Sequence, residues 1–114
     1  MTSRRSMIVA LCAALALSLT PKLSYAQEED HLAQAISHTR EAVVAGRENK
    51  PNALVIHARE ALAHATEAQK AAPNANVKKA IVRLKEAIKF GKAKRKAATT
   101  IADRALQELE RAPQ

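Results

Sequence analysis

The chain has 114 residues, enough for one small domain, with Gly and Pro scarce, aromatics at 2% and a formal net charge of +8. Ala is the dominant residue and the β-branched and aromatic enrichment of strands is missing, which argues against a sheet fold. The single cysteine, Cys12, excludes an internal disulfide, and the positive charge raises the question of acidic partners.

The first element is a leader. Arg4 and Arg5 form a positive start, Met7 to Leu19 is an apolar stretch, Pro21 breaks it, and Ser24-Tyr25-Ala26 places small residues where a signal peptidase reads. Cleavage is expected after Ala26. The apolar stretch is shorter than the ~20 residues a membrane span needs. Leu11 before Cys12 argues against lipidation, and removal of the leader leaves no cysteine for a thiolate metal site. The run from Ser3 to Ile8 also resembles a twin-arginine signal, although an ordinary Sec leader with two arginines fits better. Either route predicts a periplasmic protein.

Residues 27–114 then read as a four-helix bundle in up-down order, built from two repeated hairpins at about 30–72 and 76–112. In the first helix Leu32, Ile36 and Val43 share a stripe with Ala35, Thr39 and Ala42. Gly46 is the expected C-terminal stop, because glycine takes the left-handed conformation without a Cβ clash. Asn49-Lys50-Pro51 opens the second helix, with proline acceptable in a first turn. Leu54, Ala58, Ala61, Leu62, Ala65 and Ala68 form its stripe, and Pro73-Asn74 ends the hairpin. Val77, Ile81, Leu84 and Ile88 stripe the third helix, which Gly91 is expected to stop. Ile101, Ala105, Leu106, Leu109 and Ala112 stripe the fourth, for which no clear N-cap is visible near Lys94-Arg95-Lys96.

The two halves repeat. Ala35-Ile36 and Glu41-Ala42 recur as Ala80-Ile81 and Glu86-Ala87 at an offset of 45, and Ala61-Leu62 recurs as Ala105-Leu106 at an offset of 44. Charge divides with them: residues 27–72 carry five basic and seven acidic groups, residues 73–114 eleven and four. Such a bundle has a thin core of alanines and is marginal by size, so a bound ligand would stabilise it.

The four histidines, His31, His38, His57 and His64, all fall in the first hairpin. Members of each helical pair are seven apart, two turns on one face and roughly 10 Å along the axis, too far to share an ion bonded at about 2 Å. Across the hairpin the outcome reverses. The position numbers of His38 and His57 sum to 95, and so do those of His31 and His64. An antiparallel hairpin therefore sets each pair level, as two separate rungs on one side of axes about 8–10 Å apart. His38, His57 and His64 each have a glutamate three residues on (Glu41, Glu60 and Glu67) that can coordinate, orient the ring or be solvated; solvation is the ordinary fate.

The run from His31 to Gly46, followed by Leu54 to Ala65, with its repeated His, Ala-Leu and Glu-Ala pattern, resembles the small metal-binding protein family of periplasmic, histidine-rich helical bundles. The resemblance implies a four-helix bundle binding several divalent metals, copper among them, in metal storage or tolerance. It implies His31, His38, His57 and His64 as the metal ligands. The sequence departs from the family where histidines should recur in the second hairpin: Asn76, Arg83, Ile101 and Glu108 stand there instead. Half the metal apparatus is absent, and Arg83 would repel a cation.

No catalytic constellation is present: no haem-attachment motif, no phosphate loop and no Ser/His/Asp set, so no enzyme activity is expected. The cluster Lys92, Lys94, Arg95, Lys96 suits phosphates, but stacking aromatics are missing and nucleic acid is not an expected partner. The expected function is binding of a divalent ion, copper(II) before zinc or nickel at nitrogen sites. The alternative is a basic interaction module whose second hairpin contacts anionic membrane surfaces or acidic proteins.

Overall fold

The computed structural model describes residues 30–113, which form four helices, with no strand among them: α1 His31–Arg47, α2 Pro51–Ala71, α3 Ala75–Lys92 and α4 Ala97–Arg111. The leader expected at residues 1–26 lies outside the described residues. None of the four helices is long and apolar enough to cross a membrane.

Local chemistry sets most helix ends. Asp30 caps α1 by accepting from the Ala33 amide at 3.1 Å. Asn74 caps α3, accepting from the Asn76 and Val77 amides at 2.8 and 3.2 Å. Pro51 stands at the first position of α2, where its missing N–H costs nothing. Neither α2 nor α4 has a side-chain N-cap.

The glycines do not act as the stops their positions suggested. Gly46 and Gly91 lie inside α1 and α3, and no glycine has positive φ; the left-handed residues are Asn49 and Lys94, each with φ 57°. Around each, the same hydrogen bonds close the helix. Asn49 N–H donates to Gly46 O and Lys50 N–H to Ala45 O; Lys94 N–H donates to Gly91 O and Arg95 N–H to Phe90 O. This is the Schellman arrangement, which satisfies carbonyls the helix end would leave open. The glycines instead permit close helix approach. A Cβ on Gly46 would collide with Thr99 Oγ1 and stand 2.9 Å from Leu54 Cδ1, and one on Gly91 would stand 2.7 Å from Val55 Cγ2.

Each helix packs on its chain neighbours, and α1 also packs on α4. Twelve of the twenty buried apolar residues are alanines, with Leu54, Leu84 and Leu109 the largest fully buried side chains among them. The stripe of α3 is turned slightly from its expected setting. Ala80 and Ala87 are fully buried, whereas Ile81 and Ile88 are only partly buried and pack against the core from its margin. Small residues take the positions between closely spaced axes, where a branched side chain would not fit. Thr39, the one buried polar residue among those described, satisfies its hydroxyl by donating to Ala35 O at 2.6 Å.

Candidate metal centre

His31 and His38 stand on α1, His57 and His64 on α2, and all four side chains are half-buried at the margin of the α1–α2 pair. The short turn at Glu48–Lys50 reverses the chain, and the level pairs meet. His31 Nδ1 lies 3.0 Å from His64 Nδ1, with ring centroids 5.3 Å apart. The rings of His38 and His57 are 6.3 Å apart and inclined by 23°.

The two rungs are not separate, however. His38 also stacks on His64, with centroids 5.5 Å apart and planes inclined by only 8°. Their backbones differ by two turns in level, roughly 10 Å. The reason is the direction of helical side chains, which lean towards their own N-terminus. In an antiparallel pair that leans His64 towards the turn and His38 away from it, so the rings close the gap. The four imidazoles form one line: His31, His64, His38, His57.

The glutamates cross between helices. Glu60 Oε2 lies 3.2 Å from His38 Nδ1, and Glu41 Oε2 lies 3.0 Å from His57 Nδ1. Each carboxylate therefore serves the histidine of the opposite helix instead of the one three residues before it. Sequence reasoning considered Glu41 and Glu60 but missed this exchange. The signal was available: 41 and 57 share a sum of 98 with 38 and 60. Glu67 behaves differently and pairs with Lys70 at 3.3 Å.

Proximity is not hydrogen bonding here. The Nδ1 atoms of His38 and His57 are shut off from solvent yet make no hydrogen bond, because the carboxylate oxygens lie close but off the N–H line. A buried ring nitrogen without a hydrogen bond is costly. It is also suited to donate its lone pair to a cation. His38, Glu41 and His57 bring one ligand atom each to within 4.8 Å of one another. Two ligands each about 2.1 Å from one ion lie at most about 4.2 Å apart. A few tenths of an ångström of side-chain movement would bring these three onto a common ion, so the donor set fits a divalent metal. Three protein ligands leave a position open for exchange.

The second hairpin offers no counterpart among the described residues. Ile101 is in the core, Arg83 pairs with Glu86 at 3.5 Å, and Glu108 receives Arg111 at 3.4 Å. Among the described residues, the cluster that could hold an ion lies on the α1–α2 face.

No curated protein matches the chain. The pattern of the small metal-binding protein family does, over residues 4–112, and with nearly the whole chain covered this protein belongs to that family.

Proposed function

We propose that the protein binds and buffers divalent metal ions outside the bacterial inner membrane, with copper(II) preferred over zinc and nickel. The convergence of His38, Glu41 and His57 carries this reading, because it presents two imidazoles with unsatisfied buried nitrogens beside one carboxylate. His31 and His64 supply a second nitrogen pair at the end of the same line. Their Nδ1 atoms stand 3.0 Å apart, at hydrogen-bond distance, so one ring nitrogen gives up a proton when an ion takes its place. The preference for copper(II) rests on the general rise in affinity towards copper among divalent first-row ions at nitrogen sites. Periplasmic location rests on the leader-like residues 1–26.

The test is calorimetric titration of the chain from Gln27 with copper(II), zinc and nickel, beside a variant in which all four histidines are replaced by alanine. Copper binding that survives in that variant would overturn the assignment of these histidines.

A further inference from the structure

Beyond metal binding, one end of the bundle gathers most of its excess charge. The turn after α1 and the turn after α3 lie side by side there. They jointly line a cavity of about 210 Å³ bounded by Gly46, Asn49, Lys50, Lys94, Arg95 and Lys96 among others. Segments 47–50 and 92–96 hold six exposed cations, Arg47, Lys50, Lys92, Lys94, Arg95 and Lys96, against one acidic residue, Glu48. This end carries +5, while residues 30–113 as a whole carry 16 basic and nine acidic groups, a net +7. At the opposite end Asp30, Glu67, Glu108 and Glu110 balance Lys70, Lys78, Lys79 and Arg111.

The chain order hid this. Charge that divides by hairpin in the sequence divides by end in the fold, because Arg47 and Lys50 from the first hairpin join the cluster of the second. Two further features add to it. The starts of α2 and α4 lie at this end without a side-chain cap, so the positive ends of their dipoles add to its potential, whereas carbonyls closing α1 and α3 are taken up by the two Schellman turns. Among the described residues, the ion pair found in these two segments is that of Lys50 with Glu48 inside the first, at 3.4 Å and exposed. Arg95 is held in place over the Phe90 ring, its guanidinium carbon 5.7 Å from the centroid.

We propose that this end of the bundle docks on the surface of an anionic lipid membrane. Four of the six cations are lysines, compact charges on flexible stems that need no fixed partner geometry. They project from a blunt end, which suits a fluid layer of phosphate headgroups better than a shaped groove. Nucleic acid fits poorly, since Phe90 is half-buried beneath Arg95 and no Tyr or Trp is present among the described residues to stack on bases. None of the described helices is long and apolar enough to cross a membrane, and the attachment proposed is electrostatic and peripheral. End-on docking would hold His31 about 24 Å from the surface, sixteen residues of helix away from Arg47, and His38 about 13 Å from it, nine residues away. The metal-binding line would stay open to solution.

The experiment is co-sedimentation of the chain from Gln27, which contains all four helices and every core residue, with phosphatidylglycerol–phosphatidylcholine vesicles and with phosphatidylcholine alone. Two variants each lose four positive charges: K92Q/K94Q/R95Q/K96Q at the basic end and K70Q/K78Q/K79Q/R111Q at the other. All eight positions are exposed, and unchanged circular dichroism confirms that both variants fold. The expected result is binding to anionic vesicles only. It should weaken about tenfold or more in the first variant and by about twofold or less in the second, and disappear at high salt as screening shortens its range. Equal losses in both variants would mean that net charge alone acts, and overturn the proposal. So would no binding at low salt, or tight binding of inorganic tripolyphosphate without any vesicle binding, which would make the end a site for free phosphate. The variant lacking all four histidines should bind vesicles like the parent. Failure of copper binding and failure of docking are thereby read separately.

Discussion

His57 meets Glu41 across the hairpin, with Nδ1 3.0 Å from Oε2, although the glutamate nearest to it in helical register is Glu60. Glu60 in turn lies against His38. The exchange makes Glu41 a member of the three-ligand cluster and leaves Glu60 beside His38 but outside it. Glu41→Gln is therefore expected to weaken copper binding by about tenfold or more, and Glu60→Gln by less. Loss of groups that hold or orient a metal ligand costs roughly 10–100-fold at established sites, and the Glu41→Gln expectation is set in that range. Isothermal titration of the two variants decides it, and equal or reversed losses would remove Glu41 from the ligand set.

The stacking of His38 on His64 changes what mutation should show. Two separate rungs would make His38 and His57 one unit and His31 and His64 another. A continuous line adds coupling between the units. His38→Ala should cost about as much copper affinity as His57→Ala, and the double variant little more than either, because one pair is already broken. The double variant His38→Ala/His64→Ala should also fall short of additive. Residues in contact commonly show interaction energies of about 0.5–3 kcal/mol. Losses that add independently at all four positions would mean four unconnected surface imidazoles.

Gly46 and Gly91 provide a test of the packing. A glycine inside a helix is ordinarily about 1 kcal/mol worse than alanine, so helix propensity alone predicts that alanine stabilises. Here the added methyl meets Thr99 and Leu54 at Gly46, and Val55 at Gly91. Neither Cβ of Thr99 nor the backbone behind it can rotate away, so crowding is expected to win. Overpacking of this kind costs about 1–3 kcal/mol. Thermal unfolding of Gly46→Ala and Gly91→Ala should show lowered Tm in both. Val55→Ala should relieve part of the Gly91→Ala loss, a recovery that a pure backbone effect would not give.

The sequence already carried much of this arrangement. The equal sums of the histidine positions placed them level because a tight antiparallel turn preserves register on either side of it. The apolar stripes located the helices because burial repeats with the helical turn. Other features depended on directions that spacing does not encode. The meeting of His38 and His64 follows from the tilt of side chains along their helices, and the crossing of Glu41 and Glu60 from the same tilt. The true task of Gly46 appeared only when Thr99, far along the chain, was seen against it. Arg47 and Lys50 joined the basic end through tertiary contact between two turns.

Metal should stabilise the bundle, and acid should remove that stabilisation. A core in which twelve of twenty buried apolar residues are alanines buries little area per residue, so the apo protein is expected to unfold at modest temperature. Two histidines and one glutamate bind more weakly than the four protein ligands of structural sites. A micromolar dissociation constant, on the order of −8 kcal/mol, is the expectation for copper(II), with zinc and nickel weaker. A ligand at about a hundred times its dissociation constant adds about 2.7 kcal/mol to stability, enough to raise Tm by several degrees in a domain of this size. Metal requires neutral imidazole, so protons compete directly with the ion and the increment should shrink as the solution is acidified. Thermal unfolding with and without copper(II), repeated from pH 7.5 to pH 5 beside the variant lacking all four histidines, measures this. The gain should be present for the parent at the upper pH, decline towards the lower, and be absent throughout in the variant. A gain of equal size in that variant would place the copper on other groups, and no gain at any pH would leave the α1–α2 histidines without a role in metal binding.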